Sequence, residues 1–168
     1  VAKTKELVKI VAEHGMSLEA EVGSIGGEED GVIGAGECAD PKECKMIADL
    51  GVDFLAAGIG NIHGKYPENW AGLAFDALEA INASTGNTPL VLHGGSSNKD
   101  EEIAKAVKIG ISKINISSDI KVAFYDKCRE VLNAHPEYRE PLEIYPEPIK
   151  ACREVIAHKV NLFDSADK

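Results

Sequence analysis

Continuously apolar segments alternate with segments of helical periodicity along this chain, and no other feature restricts its fold as strongly. The segments VDFLAAGIG (52–60) and PLVLH (89–93) are apolar almost throughout, as strands buried on both faces must be. MSLEAEVGSI (16–25) and ISKINI (111–116) complete a set of four predicted strands. Strands that alternate with helices predict an α/β protein in which helices cover a parallel sheet.

Periodicity and stop signals define the other segments. Apolar residues at helical spacing before Gly15 predict a helix over 4–14. Asp40-Pro41 offers an N-cap and a proline at the first helical position, which predicts a helix to about Leu50. Further helices are predicted over 73–84, 100–109, 119–134 and 145–163, and the glycine-rich acidic segment 26–37 is predicted to be a loop.

Four polar residues mark the carboxyl ends of different predicted strands: Glu21, His63, His93 and Asn115. A closed barrel gathers all such ends around one pocket, whereas an open doubly wound sheet brings together only the strands at its switch point. The polar residues therefore favour a (β/α)8 TIM barrel. A complete barrel has eight strands in about 250 residues, so four strands in 168 residues predict half a barrel or something smaller.

Charge and composition restrict the partners. The formal charge of −10, with cations scattered among acids, argues against a nucleic-acid partner. Neither a membrane span nor a signal peptide is predicted, so the protein is expected to be cytoplasmic. Its four cysteines form no C-x-x-C pair and are expected to be free thiols.

Two histidines, His63 and His93, are each followed by glycine. Neutral imidazole is a good ligand for a divalent ion such as zinc, and a small neighbour lets substrate and backbone approach. The alternative is that both are buried, hydrogen-bonded histidines with no ligand. The spacing leaves these two interpretations about even.

Two glycine- or serine-rich turns precede predicted helices. In HGGSS, residues Gly94 to Ser97, free backbone amides and a hydroxyl can bind an anion without any net positive charge. The same reasoning applies to NISSD, residues Asn115 to Asp119, because barrel loops after the last strands often hold phosphate. Ordinary helix capping is the better explanation of either turn when that turn is considered alone.

Acidic residues form two further groups. Glu28, Glu29 and Asp30 lie in the predicted glycine-rich loop, where a carboxylate could arrive with substrate and move a proton, although a solvated loop is the commoner case. Glu19 and Glu21 lie on one face of a predicted strand. A carboxylate that faces a barrel interior requires a cation or a metal as a partner.

Taken in order, EAEVGSIGGEEDG (19–31), GIGNIHGKY (58–66), PLVLHGGSS (89–97) and KINISSD (113–119) resemble the class II fructose- and tagatose-bisphosphate aldolases. The resemblance covers nearly the whole chain. It implies a (β/α)8 barrel of which residues 1–168, taken as one domain, form about the last four β/α units plus the C-terminal helices. It also implies reversible cleavage of a ketose 1,6-bisphosphate, with Zn²⁺, often a monovalent cation (Na⁺ or K⁺), and a homo-oligomer of two or four full-length chains.

The resemblance implies a role for each matching residue. His63 and His93 match zinc ligands, Glu21 matches a carboxylate that can approach the metal, and Glu29 matches a proton shuttle. The residues that match the stretches holding dihydroxyacetone phosphate are Gly64, Gly94, Gly95, Ser96, Asn115, Ile116, Ser117 and Ser118.

The sequence departs from the family pattern in two ways. Ser97 replaces the glycine usual after the serine of the HGGS motif, and both later places of the N-I-x-T motif are serine. In addition, the Asp-His-Gly segment that carries the third zinc histidine and the acid-base aspartate is absent from these residues. Negligible activity and weak zinc binding are therefore expected of the isolated chain. A non-catalytic phosphate-binding module and a different barrel lyase or isomerase remain the alternatives.

Overall fold

The computed structural model describes residues 1–29, 32–34, 36–64, 66 and 68–167. Contacts divide the chain into two compact units, Val1–Asn115 and Ile116–Lys168. The first unit contains α1 (Ala2–Glu13), β1 (Glu19–Val22), β2 (Gly26–Glu29), β3 (Val32–Gly34), α2 (Pro41–Ala48), β4 (Phe54–Ala57), β5 (Ile62–His63), α3 (Phe75–Thr85), β6 (Leu90–Leu92), α4 (Asp100–Ile109) and β7 (Ile111–Ile114). The second contains α5 (Ser118–Ala134), α6 (Pro141–Ile144) and α7 (Pro146–Leu162). The prediction that residues 1–168 form one domain stays a prediction.

The main sheet of the first unit has four parallel strands in the order β1-β4-β6-β7. Each strand lies beside the next main-sheet strand along the chain, and the order never reverses. A doubly wound sheet requires such a reversal at its switch point, whereas a barrel does not. The strand order therefore agrees with the barrel expected from the sequence, and all four predicted main strands are present.

The core of the first unit lies between this sheet and its covering helices. The strands β4 and β6 contribute Leu55, Leu90 and Leu92, which are all fully buried. From the helices, Leu78 and Ile81 of α3 are also fully buried. Because β6 is buried at every position, it reads as a continuous apolar run in the sequence. The pattern from which the fold class was predicted is thus a direct result of burial on both faces.

The segment 26–37 differs from its prediction as a loop. Its residues include two short strands, β2 and β3, which pair antiparallel, and β2 also pairs parallel with the two-residue strand β5. Gly27 at φ +84° sits in β2, and a side chain there would overlap the backbone of His63. Glycine is therefore needed for close approach between strands, and not only for a turn.

Local signals explain several helix boundaries. Asp40 caps α2 as predicted, because its Oδ1 accepts a hydrogen bond of 2.7 Å from the Lys42 backbone N–H. The helix α4 spans the predicted residues, with acids in its first turn and Gly110 after its last residue. The amphipathic helix α1 also forms, but it contains no buried residue.

The second unit is built on two long helices that pack against each other, α5 and α7. Val131 of α5 and Pro148 of α7 are buried in it. Lys159 Nζ lies 3.1 Å from Asp119 Oδ2, and both side chains are largely shielded from solvent. The short helix α6, which was not predicted, begins at Pro141 and has a capping box between Glu140 and Glu143.

The four cysteines are free thiols, as predicted, and Cys44 is fully buried in α2. Burial raises the pKa of the Cys44 thiol to about 11, and the neighbouring carboxylates Asp40 and Glu43 act in the same direction. None of the helices in the described ranges combines the length and apolar character that crossing a membrane requires.

Candidate functional site

The two His-Gly steps predicted as a metal site lie close together. His63 is the last residue of β5 and His93 directly follows β6. Their ring centroids are 5.8 Å apart and the ring planes are inclined by 54°. A zinc–nitrogen bond is about 2.1 Å, so two imidazoles at this separation can bind one ion between them.

His93 belongs to a cluster of polar side chains drawn from three main-sheet strands. Its Nε2 lies 2.8 Å from Glu19 Oε1 on β1, and its Nδ1 lies 3.1 Å from Asn115 Nδ2, just after β7. Lys113 Nζ of β7 donates to Glu19 Oε2 at 2.7 Å and to Asn115 Oδ1 at 2.9 Å. The alternative interpretation of His93 as a buried, hydrogen-bonded histidine is therefore partly correct, since both of its ring nitrogens have partners.

Glu19 remains a carboxylate in this setting. Its partial burial alone would raise its pKa, but hydrogen bonds from Lys113 and His93, together with the positive charge of Lys113, outweigh burial and lower the pKa. The cluster therefore contains one paired anion and one paired cation, which agrees with the expectation that a carboxylate on this face needs a cation.

Two residues that the sequence interpretation missed connect the histidine segments. The fully buried Asn61 donates from Nδ2 to the His93 carbonyl at 2.9 Å and accepts from the Ile59 N–H at Oδ1. The Tyr66 hydroxyl accepts from the Ile62 N–H at 3.0 Å and donates to the Gly94 carbonyl at 2.8 Å. Burial raises the pKa of Tyr66 despite the opposing hydrogen bonds from Ile62 and Asn98, so the hydroxyl keeps the proton that it donates.

The turn after His93 has the conformation of a tight backbone loop. Gly94 has φ +65°, and a Cβ there would overlap the carbonyl oxygen of Ile62, so only glycine fits. Ser96 is buried, and so is Asn98, whose Oδ1 accepts from the Lys99 N–H. Within the described part of the chain, the buried Asn98 Nδ2 has no partner at standard hydrogen-bond geometry, although its interaction with the Tyr66 hydroxyl opposes the rise of the Tyr66 pKa.

The helix that follows this turn is a poor anion site by itself. The first turn of α4 carries Asp100, Glu101 and Glu102, which already complement its positive end. Glu102 Oε2 also accepts from the Leu73 N–H at 2.8 Å. Any anion bound here must therefore depend on the amides and hydroxyls of the Gly94–Ser96 turn rather than on the helix dipole.

The remaining predicted site residues are placed as follows. Glu21 lies on β1 two residues after Glu19 and is exposed, at the border of a cavity that Glu43 and Met46 also line. Gly64 follows β5 with φ +88°. Glu29 ends β2, whereas Asp30 lies outside the described residues. Ile116, Ser117 and Ser118 begin the second unit, where Ser118 opens α5.

Comparison with known proteins identifies the family. The family model described as fructose-bisphosphate aldolase class-II matches residues 1–168. A fructose-bisphosphate aldolase from Streptococcus pyogenes is 44% identical over 177 residues, which cover 100% of this chain and 60% of the relative. One from Mycoplasma pneumoniae is also 44% identical, over 99% of this chain and 59% of its own. The chain belongs to the class II fructose-bisphosphate aldolase family, and it spans about 60% of the length of these curated relatives.

A solved structure supports the same fold. The YdjI aldolase from Escherichia coli K12 superposes with a TM-score of 0.76 and 29% identity, over 98% of this chain and 54% of that one. The strand order β1-β4-β6-β7 is thus part of a TIM-barrel-type aldolase fold, as expected from the sequence.

Class II aldolases depend on a metal ion, and the side chains of His63 and His93 can supply some of its ligands. His63 and His93 are close enough to share one ion, and imidazole is a suitable donor. Across the described ranges, no group of three or more His, Cys, Asp and Glu side chains is arranged to hold a metal. These residues therefore fit as two ligands of a larger set.

Proposed function

We propose that this chain carries metal- and phosphate-binding residues of a class II ketose-bisphosphate aldolase that uses Zn²⁺. The reaction is the reversible cleavage of fructose 1,6-bisphosphate to dihydroxyacetone phosphate and glyceraldehyde 3-phosphate. The observation that carries the proposal is the 5.8 Å approach of the His63 and His93 rings, with His93 hydrogen-bonded to Glu19. The names of the relatives support the choice of substrate class.

In this proposal each group has a distinct task. When bound, a divalent ion acts as a Lewis acid on the substrate carbonyl. His63 and His93 hold the ion through ring nitrogens, with Glu21 as a carboxylate that can approach it. Glu29 moves the proton of the ketose phosphate. Backbone amides and hydroxyls bind phosphate at Gly64, at Gly94–Ser96 and at Asn115–Ser118, and Na⁺ or K⁺ accompanies it.

The Gly94–Ser96 turn has features that support its phosphate role. Gly94 and Gly95 have no side chain to block their backbone amides, Ser96 adds a hydroxyl, and the buried Asn98 amide adds a donor without a partner at standard hydrogen-bond geometry. These donors are neutral, so they can bind an anion in a chain whose formal charge is −10.

A chimera tests the proposal directly. The part of the Streptococcus pyogenes relative that this chain does not match can be fused to the chain. We expect the chimera to cleave fructose 1,6-bisphosphate in a coupled assay, to lose activity with a chelator and to regain it with Zn²⁺. His93→Ala should abolish turnover, whereas His14→Ala, on the exposed end of α1, should not.

Two outcomes of the chimera assay would change the proposal, and two further measurements test its other parts. A correctly folded chimera without metal-dependent cleavage of either bisphosphate contradicts the proposal. Faster cleavage of tagatose 1,6-bisphosphate than of the fructose isomer changes the substrate but keeps the class of reaction. The isolated 168-residue chain should bind zinc weakly and show negligible turnover, and normal turnover by the chain alone contradicts that expectation. Light scattering of the chimera tests the proposed homo-oligomer.

A further inference from the structure

Four side chains from β1, from β7 and from the residues just after β6 and β7 form a closed ring of hydrogen bonds. The ring runs from Glu19 to His93, from His93 to Asn115, from Asn115 to Lys113 and from Lys113 back to Glu19. Its four contacts measure 2.8, 3.1, 2.9 and 2.7 Å in that order. Since every contact is short, the donor or acceptor role of one atom restricts that of the next.

The donor and acceptor roles in the hydrogen-bond ring can be assigned starting from Lys113, whose ammonium group can only donate. Its ammonium faces Asn115 Oδ1, so the amide oxygen must be the acceptor and Nδ2 must point toward His93. Because Nδ2 is a donor, His93 Nδ1 must accept and cannot carry a proton. The single N–H proton of the neutral His93 imidazole then lies on Nε2.

The contact between His93 and Glu19 gives the same assignment independently. His93 Nε2 faces Glu19 Oε1, and a carboxylate oxygen that also neutralises Lys113 is an acceptor. An unprotonated Nε2 would place two acceptors 2.8 Å apart, which is repulsive. A doubly protonated imidazolium would instead place the Nδ1 proton against the amide protons of Asn115. Only the Nε2–H tautomer satisfies all four contacts.

We propose that Glu19 and Lys113 are positioning residues that hold His93 in its Nε2–H tautomer, leaving Nδ1 as the ring nitrogen that binds the metal. Asn115 covers that nitrogen with its amide, and it must give up this hydrogen bond when a cation binds. The metal-binding part rests on the proposed function, whereas the tautomer does not. Carboxylate partners commonly fix ligand histidines in this way.

The tautomer can be measured in the metal-free chain. Two-bond ¹H–¹⁵N correlation spectra of histidine-labelled protein separate the Nε2–H tautomer, the Nδ1–H tautomer and the imidazolium. We expect the neutral form of His93 to be almost entirely the Nε2–H tautomer, with an unprotonated Nδ1. A predominant Nδ1–H tautomer in the neutral ring overturns the inference, and this result needs no variant.

Two substitutions test the ring itself. In Glu19→Gln the new amide can donate to His93 Nε2, so the Nδ1–H tautomer should become populated. In Lys113→Met the Asn115 amide is free to turn, and the tautomers should mix. The controls Glu79→Gln and Lys9→Met, on exposed helix positions, should leave the His93 signals unchanged. Unaltered His93 signals in both ring variants overturn the positioning role.

Zinc titration of the same samples tests the metal-binding part. The His93 Nδ1 signal should respond to Zn²⁺, and the two ring variants should bind about 10- to 100-fold more weakly than the unmodified chain. A response at Nε2 instead contradicts the assigned atom. If zinc does not bind at all while the tautomer is as expected, the metal-binding part of this inference fails and the tautomer assignment stands, whereas the chimera assay decides the proposed function.

Discussion

Ser97 has a backbone conformation that suits glycine better than serine. Its φ is +59°, in the left-handed region, which costs a residue with a Cβ about 1–2 kcal/mol. This is the position where the aldolase pattern usually has glycine. We therefore expect Ser97→Gly to be more stable than Ser97→Ala by about 0.5–1 kcal/mol, after about 0.5–1 kcal/mol is subtracted for the greater freedom of glycine in the unfolded chain.

Comparing these two variants isolates the backbone effect. Both remove the serine hydroxyl and its interaction, so their difference reports only the conformation at residue 97. Urea unfolding of the purified variants gives this difference in free energy of unfolding. An alanine variant as stable as the glycine variant contradicts the strained conformation.

For individual residues, the sequence predicted which side chains carry the chemistry of the site better than it predicted the hydrogen bonds between them. His63 and His93 stood out because each precedes glycine, and Glu19 stood out because it shares a strand face with Glu21. Lys113 was missed, although a lysine inside an apolar strand, two residues from Asn115, places both on one face. Its contact with Glu19 spans 94 positions and depends on sheet order, which local pattern does not contain.

Among the elements, local sequence pattern decided which were predicted, and length did not. The helix α4 and the four main strands gave clear signals although the main strands have only three or four residues, whereas the strands β2, β3 and β5 lie among glycines. Glycines in β2 also remove the apolar alternation that marks a strand. Pairing of β2 with β5 joins residues 36 positions apart, as in Gly26 with Ile62, so tertiary contact determines these strands and local preference does not.

The Tyr66 hydroxyl connects two of these elements, since it bonds to Ile62 of β5 and to Gly94 after β6. In Tyr66→Phe the Ile62 N–H and the Gly94 carbonyl both lose this partner in a partly buried site. An unsatisfied group of this kind costs about 1–3 kcal/mol. We expect a destabilisation of that size, measured by thermal or urea unfolding.

The matched control for this variant is Tyr125→Phe. Tyr125 is exposed on α5, so removing its hydroxyl should change the free energy of unfolding by less than about 0.5 kcal/mol. Equal effects of the two substitutions would show that the Tyr66 hydroxyl does not connect β5 to the turn after His93.

For the whole molecule, the order of the parallel strands could be anticipated but the division into units could not. Polar residues at strand ends favoured a barrel, and the strand order β1-β4-β6-β7 agrees with it. Nothing in the local pattern distinguishes the helices after Asn115 from those that cover the sheet. Their grouping into a second unit depends on α5 packing against α7, a contact between helices that are both amphipathic.

The Lys159–Asp119 pair offers a test of that division. Only 11% of the Lys159 side chain and 20% of the Asp119 side chain are exposed, so Lys159→Met leaves a shielded carboxylate without this partner. We expect a local cost on the order of 1–3 kcal/mol. Hydrogen exchange followed by mass spectrometry should show faster exchange in α5 and α7, with β4 and β6 unchanged and with Lys121→Met, at an exposed position of α5, as the control. Equal acceleration in both units would instead mean that residues 1–168 unfold as one cooperative domain.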